Sequence, residues 1–334
     1  MFCGDYYEYS NKIRTKLQLN IRMLIPLQNL PKFICPKTVS PLTRKHQVLT
    51  TEDGKNHYKV IDGVPVLVDF ENSVLEESDF NLLKIPEVVE RPKNKGLRAL
   101  AKRIVSPPKR ATANNVSELM KLLFSGVKDQ NPLILVIGGG SIGQGMQPLY
   151  KSSKIDIVSF DVYASGNTQF VADAHNIPFV DKTFDAVIIQ AVLEHVLEPN
   201  KVVSEIYRVL KEQGLVYSET PFLQHVHEGP YDFTRYTESG HRYLFKNFSL
   251  IKSGSSAGAG TQLLWAVDIF ARGLFRSRIV GKIVKLAFFW LTYMDDLVPK
   301  RFNIDAACGC YFLGRKATKV ISPKEAVHHY QGAQ

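Results

Sequence analysis

Leu133 to Gly145, LILVIGGGSIGQG, constrains this chain more than any other stretch. Leu133, Ile134, Leu135, Val136 and Ile137 form an unbroken leucine and β-branched run, the pattern of a strand buried on both faces of a parallel sheet. Gly138, Gly139 and Gly140 follow at once; they permit positive φ and let a ligand lie against bare backbone. A helix beginning at Ser141 would present first-turn N–H groups that have no intrahelical partner. A nucleotide-type cofactor is the first candidate for this turn, and a ligand-free strand-to-helix connection is the alternative.

The surrounding text alternates. The patterns predict a helix over Ser117–Phe124, strands at Leu133–Ile137, Ile155–Phe160 and Phe184–Ile189, a helix over Val202–Leu210 and a strand at Leu215–Glu219. Such alternation is the mark of a doubly wound α/β domain. Phe248–Ser253 and Cys310–Gly314 read as two closing strands, with residues 261–301 inserted between them. In that insertion Leu263, Val267, Phe270 and Leu274 share one helical face, and a second apolar run spans Leu286–Leu291. The run is shorter than the ~20 apolar residues a membrane span needs. Together with Arg272, Arg276, Arg278, Lys282 and Lys285 it suggests an interfacial or lid element, with a packed helical pair or a dimer contact as the alternative.

Ahead of the α/β text lie three further segments. Residues 1–30 are poorly periodic and read as a loosely attached arm. Residues 31–72 hold His57–Ile61, the turn Asp62-Gly63 and Val64–Val68, the signature of a β-hairpin. The ending of this module resembles the short zinc-ribbon-like modules of the Trm112 type, but the metal knuckles are missing. Cys35, His46 and His57 offer at most three donors where structural zinc takes four, so the module is expected to be a metal-free packing or interaction unit. Residues 73–110 form a basic linker: Arg91 to Arg110 contains eight bases and no acid, with Leu97, Leu100, Ala101 and Ile104 on one side of a predicted helix. The main domain is expected over 111–317, and 318–334 as a tail.

A net charge of +10 allows nucleic acid, an anionic membrane or an anionic substrate as partner, while 45% apolar content excludes wholesale disorder. No nucleic-acid module is recognisable, and the bases are interleaved with long apolar side chains instead of stacking platforms, so nucleic acid is not expected. Four cysteines without a disulfide framework, and no visible secretory signal, fit a reducing cytoplasm.

The text that follows Asp161, FVADAHNIPFVDKTFDAVIIQAVLEHVLEPNKVVSEIYRVLKEQGLVYSETPF, resembles the core of class I S-adenosylmethionine-dependent methyltransferases of the type 11 group. The resemblance covers about Leu133 to Phe222. It implies a Rossmann-like sheet with S-adenosylmethionine as cofactor. On this likeness Gly138, Gly139 and Gly140 form the cofactor turn, Asp161 takes the ribose hydroxyls, Asp173 and Ala174 meet the adenine, and Gln190 borders the active site. The pattern departs from the family at Val136, where an acid is usual, at Ile142, where the third glycine falls, and at Glu212-Gln213-Gly214. Two rival readings stand beside it. An NAD-dependent oxidoreductase would use Gly138, Gly140 and Gly143 as G-x-G-x-x-G with Asp161, and Tyr207 and Lys211 have a short-chain dehydrogenase spacing. A non-catalytic scaffold would explain Val136 and Ile142.

Methyl transfer from a sulfonium needs alignment and removal of the acceptor's proton. His195 and His227 are the candidate bases, and Arg235 with Tyr236 would suit an anionic or sugar-bearing acceptor. His225 and His227 also have metal-pair spacing, but no third ligand of evident spacing joins them, so no metal is expected. The expected acceptor is a small molecule, a glycan or a lipid-linked group, with residues 261–301 in peripheral contact with the inner face of a membrane.

Overall fold

The computed structural model describes residues 24–80, 110–125 and 130–334; the predicted helix of the basic linker and most of the N-terminal arm lie outside them. The described residues build one eleven-stranded sheet. Its strands are β1 (Leu42–Lys45), β2 (Val48–Thr51), β3 (His57–Ile61), β4 (Val64–Leu67), β5 (Leu133–Ile137), β6 (Asp156–Asp161), β7 (Phe170–Ala172), β8 (Phe184–Gln190), β9 (Leu210–Pro221), β10 (Phe248–Ala257) and β11 (Gly309–Lys316). The order is β1-β2-β3-β4-β7-β6-β5-β8-β9-β11-β10. From β7 to β9 all pairs are parallel, and β11 closes the sheet antiparallel to both β9 and β10. Both faces are covered, as a parallel sheet requires: α1 (Arg110–Ser125) and α2 (Gln147–Lys151) pack on one side, and α3 (Pro199–Val209) and α4 (Glu238–Leu244) on the other.

The chain winds outward from β5 in two directions, through β6 and β7 on one side and through β8 and β9 on the other. The carboxyl ends of β5 and β8 are therefore a topological switch point, where the connections diverge and leave a crevice for a ligand. This doubly wound, Rossmann-like sheet is the predicted fold class, and β5 has the predicted bounds.

The N-terminal module is not set apart from the main sheet. Asp62 and Gly63 both have positive φ, the geometry of a tight two-residue turn, and they fold β4 back on β3 as predicted. However, β4 then pairs in parallel with β7, Val66 opposite Val171 and Leu67 opposite Ala172, so the module extends the sheet by four strands. Phe33 adds to the join, packing 5.1 Å from Phe170 and 5.3 Å from Phe179 between ring centroids. Residues 24–30, expected as part of a loose arm, are tied down too. β7 pairs only with Phe160 and Asp161 of β6, which leaves the earlier backbone of β6 uncovered. Leu24 bridges Ile157 there, and the Ile25 N–H donates to the Ile157 carbonyl at 3.1 Å.

Four helices occupy the space between β10 and β11: α5 (Ala259–Phe275), α6 (Arg278–Ala287), α7 (Leu291–Met294) and α8 (Lys300–Asp305). Asp295 anchors them. Its carboxylate accepts from the N–H groups of Gly258, Gly260 and Thr261, at 2.9, 2.7 and 3.1 Å, satisfying the start of α5. The tail ends in α9 (Pro323–His328), opened by a Ser322–Glu325 capping box.

Candidate active site

The glycine turn takes its shape from β6. The N–H groups of Gly138 and Gly139 both donate to the Phe160 carbonyl, at 3.0 and 2.9 Å. Gly138 has φ +76°, and a Cβ there would lie 2.2 Å from Val192 Cγ2. No helix begins at Ser141: the chain runs as a loop to Gln147, and the Gly140 N–H is taken by Asp161 Oδ2 at 2.7 Å. The polar groups expected at a helix start are thus replaced by a loop held from the next strand. Gly138 borders the cavity. Gly139 turns toward Ser159, where a Cβ would stand 1.8 Å from its Oγ, and Gly140 backs onto the Tyr163 ring.

Asp161 sits at the end of β6, facing the cavity. Burial raises its pKa, opposed by the N–H groups of Gly140 and Val162 that donate to it. Each carboxylate oxygen keeps lone-pair capacity for a ribose hydroxyl. Asp173 is more heavily engaged. Its oxygens accept from Ser73 Oγ at 2.5 Å and from the His175 backbone N–H at 2.9 Å, and the His175 ring lies 2.5 Å away. Burial alone would raise Asp173; the hydrogen bonds from His175 and Ser73 outweigh it and hold the carboxyl below its usual value. With Val74, Leu75 and Phe80 at this end of the cavity, the segment after β4 walls the side where Asp173 and Ala174 lie. Gln190 ends β8, and its amide donates to Glu219 Oε2 at 2.8 Å. Glu219 is fixed in turn by Thr112 Oγ1 of α1 at 2.5 Å.

His195 and His227, thirty-two positions apart, meet across the cavity mouth with ring centroids 4.9 Å apart. Between them lies a residue the sequence reading passed over. Glu194 has a side chain only 1% exposed, and its Oε1 stands 3.7 Å from His195 Nε2 and 3.9 Å from His227 Nε2. Neither carboxylate oxygen has a hydrogen-bond partner in another residue, and burial pushes this carboxyl up to about 7. These three side chains are the one group among the described residues whose donor atoms lie close enough to hold a metal ion; the group shares only His227 with the His225–His227 pair, and His225 packs instead near Trp265, 5.9 Å between ring centroids. The Phe233 N–H donates to the Glu194 carbonyl at 2.8 Å, which pins the loop bearing His227 to the turn bearing Glu194.

Arg235 does not face an acceptor. Its guanidinium is spent on both oxygens of Asp232 and on the carbonyls of Gln224, Thr234 and His225, and it lies outside the cavity lining. It is an internal strut of the loop, made so by the acid three positions earlier. Asp232 in turn accepts from the His227 N–H at 2.9 Å, and its carboxyl is held down at about 2, mainly by Arg235.

The cavity spans about 1920 Å³ and runs from the Ser73–Phe80 segment past Gly138 and Asp161 to Trp265 and Tyr293 of the insertion. Pockets for a single drug-sized ligand run to ~1,000 Å³, so cofactor and acceptor can share this one space. Tyr207 and Lys211 take no part in it. The Tyr207 hydroxyl donates to the Ala317 carbonyl, and Lys211 pairs with Asp185 at 2.8 Å near the opposite ends of the strands. The dehydrogenase spacing is coincidental.

Residues 142–218 match a family described as a methyltransferase domain. The chain is 33% identical over 150 residues to a demethylmenaquinone methyltransferase from Renibacterium salmoninarum, an alignment covering 41% of this chain and 59% of that protein. The chain thus spans less than two thirds of that relative. Solved structures with a similar course include a Galdieria sulphuraria protein described as a sarcosine dimethylglycine methyltransferase, at 16% identity over 63% of this chain and 87% of the other, TM-score 0.42. Another is Haemonchus contortus phosphoethanolamine N-methyltransferase 2 in complex with S-adenosyl-L-methionine, at 18% identity over 61% and 53%, TM-score 0.38. The family match identifies a methyltransferase domain in this chain over residues 142–218, beginning just after the glycine turn.

Proposed function

We propose that this protein transfers the methyl group of S-adenosylmethionine to a lipid-linked acceptor presented at a membrane surface. The observation that carries the first half is the switch-point crevice, bordered by Gly138 and by Asp161, the latter inside the segment 142–218 that matches the methyltransferase family. Asp161 would accept from the ribose hydroxyls, and Ala174 would pack against the base. In the transfer, the acceptor atom attacks the methyl carbon while the bond to sulfur breaks and sulfur keeps the electron pair. The acceptor's proton leaves at the cluster of Glu194, His195 and His227. Burial, and then the neighbouring His195, lower the pKa of His227, which favours a neutral ring able to receive a proton.

The second half rests on the insertion. Phe270, Leu274 and Phe275 of α5 and Ile279, Ile283 and Leu286 of α6 are all exposed, Ile279 by 69%. Arg276, Arg278 and Lys282 lie among them, while Asp268, the single acid between Ala259 and Met294, is buried against Arg272 and Lys285. An apolar face rimmed by bases fits the acyl and anionic parts of a lipid surface. Among the described residues no helix is long and apolar enough to cross a membrane, so contact would be peripheral. The Renibacterium relative carries demethylmenaquinone in its name, an acceptor consistent with this reading.

Titration of the purified protein with S-adenosylhomocysteine and with NADH tests the assignment. Tight binding of the first and none of the second is expected. Binding of NADH would restore the oxidoreductase reading, and binding of neither would leave a scaffold.

A further inference from the structure

We infer that Glu194, His195 and His227 form a divalent transition-metal site of two imidazoles and one carboxylate, opening onto the cavity and able to take an acceptor hydroxyl or phenol oxygen. The binding of the ion stands on the geometry alone; its role in holding the acceptor rests on the methyl-transfer reading.

Three features converge on this. The first is the direction of the ring nitrogens. His195 Nδ1 lies 2.7 Å from the Tyr231 carbonyl oxygen, which can only accept, so Nδ1 carries the hydrogen and Nε2 a lone pair. His227 Nδ1 lies 3.3 Å from Asp232 Oδ2, a carboxylate doubly held by Arg235, so here too the hydrogen belongs on Nδ1 and the lone pair on Nε2. Both Nε2 atoms approach the same Glu194 oxygen, at 3.7 and 3.9 Å. The second is what they approach: a buried carboxylate with no hydrogen-bond partner in another residue. Two imidazole lone pairs beside a buried, unpartnered carboxyl need a proton or a cation among them, because burial makes an unpaired polar group costly. A divalent ion satisfies all three donors at once.

The third is support from behind. A ligating histidine ordinarily donates its other N–H to a carboxylate or a carbonyl, which fixes the tautomer and ring orientation. His227 has Asp232, and His195 has the Tyr231 carbonyl. The separations are near those of an ion site: bonds of ~2.1 Å in a tetrahedral site put donors ~3.4 Å apart, the carboxylate stands 3.7 and 3.9 Å from the two ring nitrogens, and all three donors lie within 4.8 Å of one another, so the rings close in on binding. Three protein ligands leave a fourth position for a water or a substrate oxygen, the pattern of catalytic rather than structural sites. With the ion bound, the two imidazoles are its ligands and no longer receive the acceptor's proton; an oxygen bound there would instead lose its proton to solvent more readily and attack the methyl carbon as the anion, with the ion unchanged in oxidation state.

Zinc chloride is the probe. The full-length protein, stripped with chelator, is incubated with excess zinc and passed through a desalting column, and its metal content is read by mass spectrometry. One zinc per chain is expected, and none above background in Glu194→Gln, His195→Ala or His227→Ala. Asp232→Asn should weaken zinc binding roughly 10–100-fold, the usual effect of losing a supporting partner. Cobalt in place of zinc should give a visible absorption band that the same three variants lack. S-adenosylhomocysteine binding, measured on every variant, reports that the fold is intact. Wild-type protein that binds S-adenosylhomocysteine but retains no stoichiometric zinc or cobalt overturns the site, as does equal uptake by the three variants. Stoichiometric zinc in a protein that ignores S-adenosylhomocysteine supports the site and overturns the methyl-transfer reading.

Discussion

The Ser73 hydroxyl donates to Asp173 Oδ2 at 2.5 Å, joining residues a hundred positions apart and closing one end of the cavity. The bond has a consequence for acid stability. Because Asp173 titrates below its unfolded value of 3.8, its contribution is fully present above that pH and is lost as pH falls through the lower folded value. Ser73→Ala removes a hydrogen bond to a charged group, so stability at pH 7 should fall by about 1–3 kcal/mol, and S-adenosylhomocysteine should bind more weakly. Urea unfolding and calorimetric titration of the variant check both. Unchanged cofactor affinity would separate Asp173 from the adenine end.

Asp161 carries the ribose assignment. Its replacement by Ala should weaken S-adenosylhomocysteine binding by on the order of 1–3 kcal/mol, through loss of charge-assisted hydrogen bonds. Asp161→Asn, which retains one acceptor oxygen, should fall between the two. An equal dissociation constant for wild type and Asp161→Ala would remove Asp161 from the cofactor site.

His241 sets a different pH window. It is fully buried on α4, its Nε2 lies 2.9 Å from Ser218 Oγ, and burial pushes its pKa down to about 3. Between about 6.5 and 3 the unfolded chain binds a proton here that the folded chain refuses. Stability from this group is therefore complete above 6.5 and declines as pH falls, by up to ~1.4 kcal/mol per pH unit. Denaturant midpoints at pH 7 and pH 5 should differ less in His241→Gln than in wild type. The same difference in both would show that the ring is not held neutral.

The insertion predicts lipid contact. Wild-type protein should co-sediment with anionic liposomes, and replacing Phe270, Ile279 and Ile283 by Ser should abolish this while leaving S-adenosylhomocysteine binding intact. Salt should weaken the association without eliminating it, because screening acts on Arg276, Arg278 and Lys282 but not on the apolar face. Equal recovery in the supernatant with and without liposomes would assign α5 and α6 to a lid or a contact between copies of the chain.

What the sequence determined by itself is local. Strand and helix periods repeat every two and 3.6 residues, so β5, β6, β8 and β9 can be read directly, whereas the three residues of β7 are too few to show a period and the switch point waits for the strand order. The hairpin of β3 and β4 was legible for the same reason, since Asp62-Gly63 encodes its own turn. Tertiary structure decided what distant segments share. No local pattern announces that β4 will pair in parallel with β7, because that register is fixed by burying Val64 and Val66 against Val171 and Ala164. Arg235 reads as a substrate ligand until the loop folds and Asp232 takes its guanidinium. Glu194 carries no mark in the sequence beyond standing beside His195. Only when the loop after β9 lays His227 across the turn does its buried, unpartnered carboxylate become the centre of a site, because burial and the direction of a lone pair are properties of the folded chain and not of residue order.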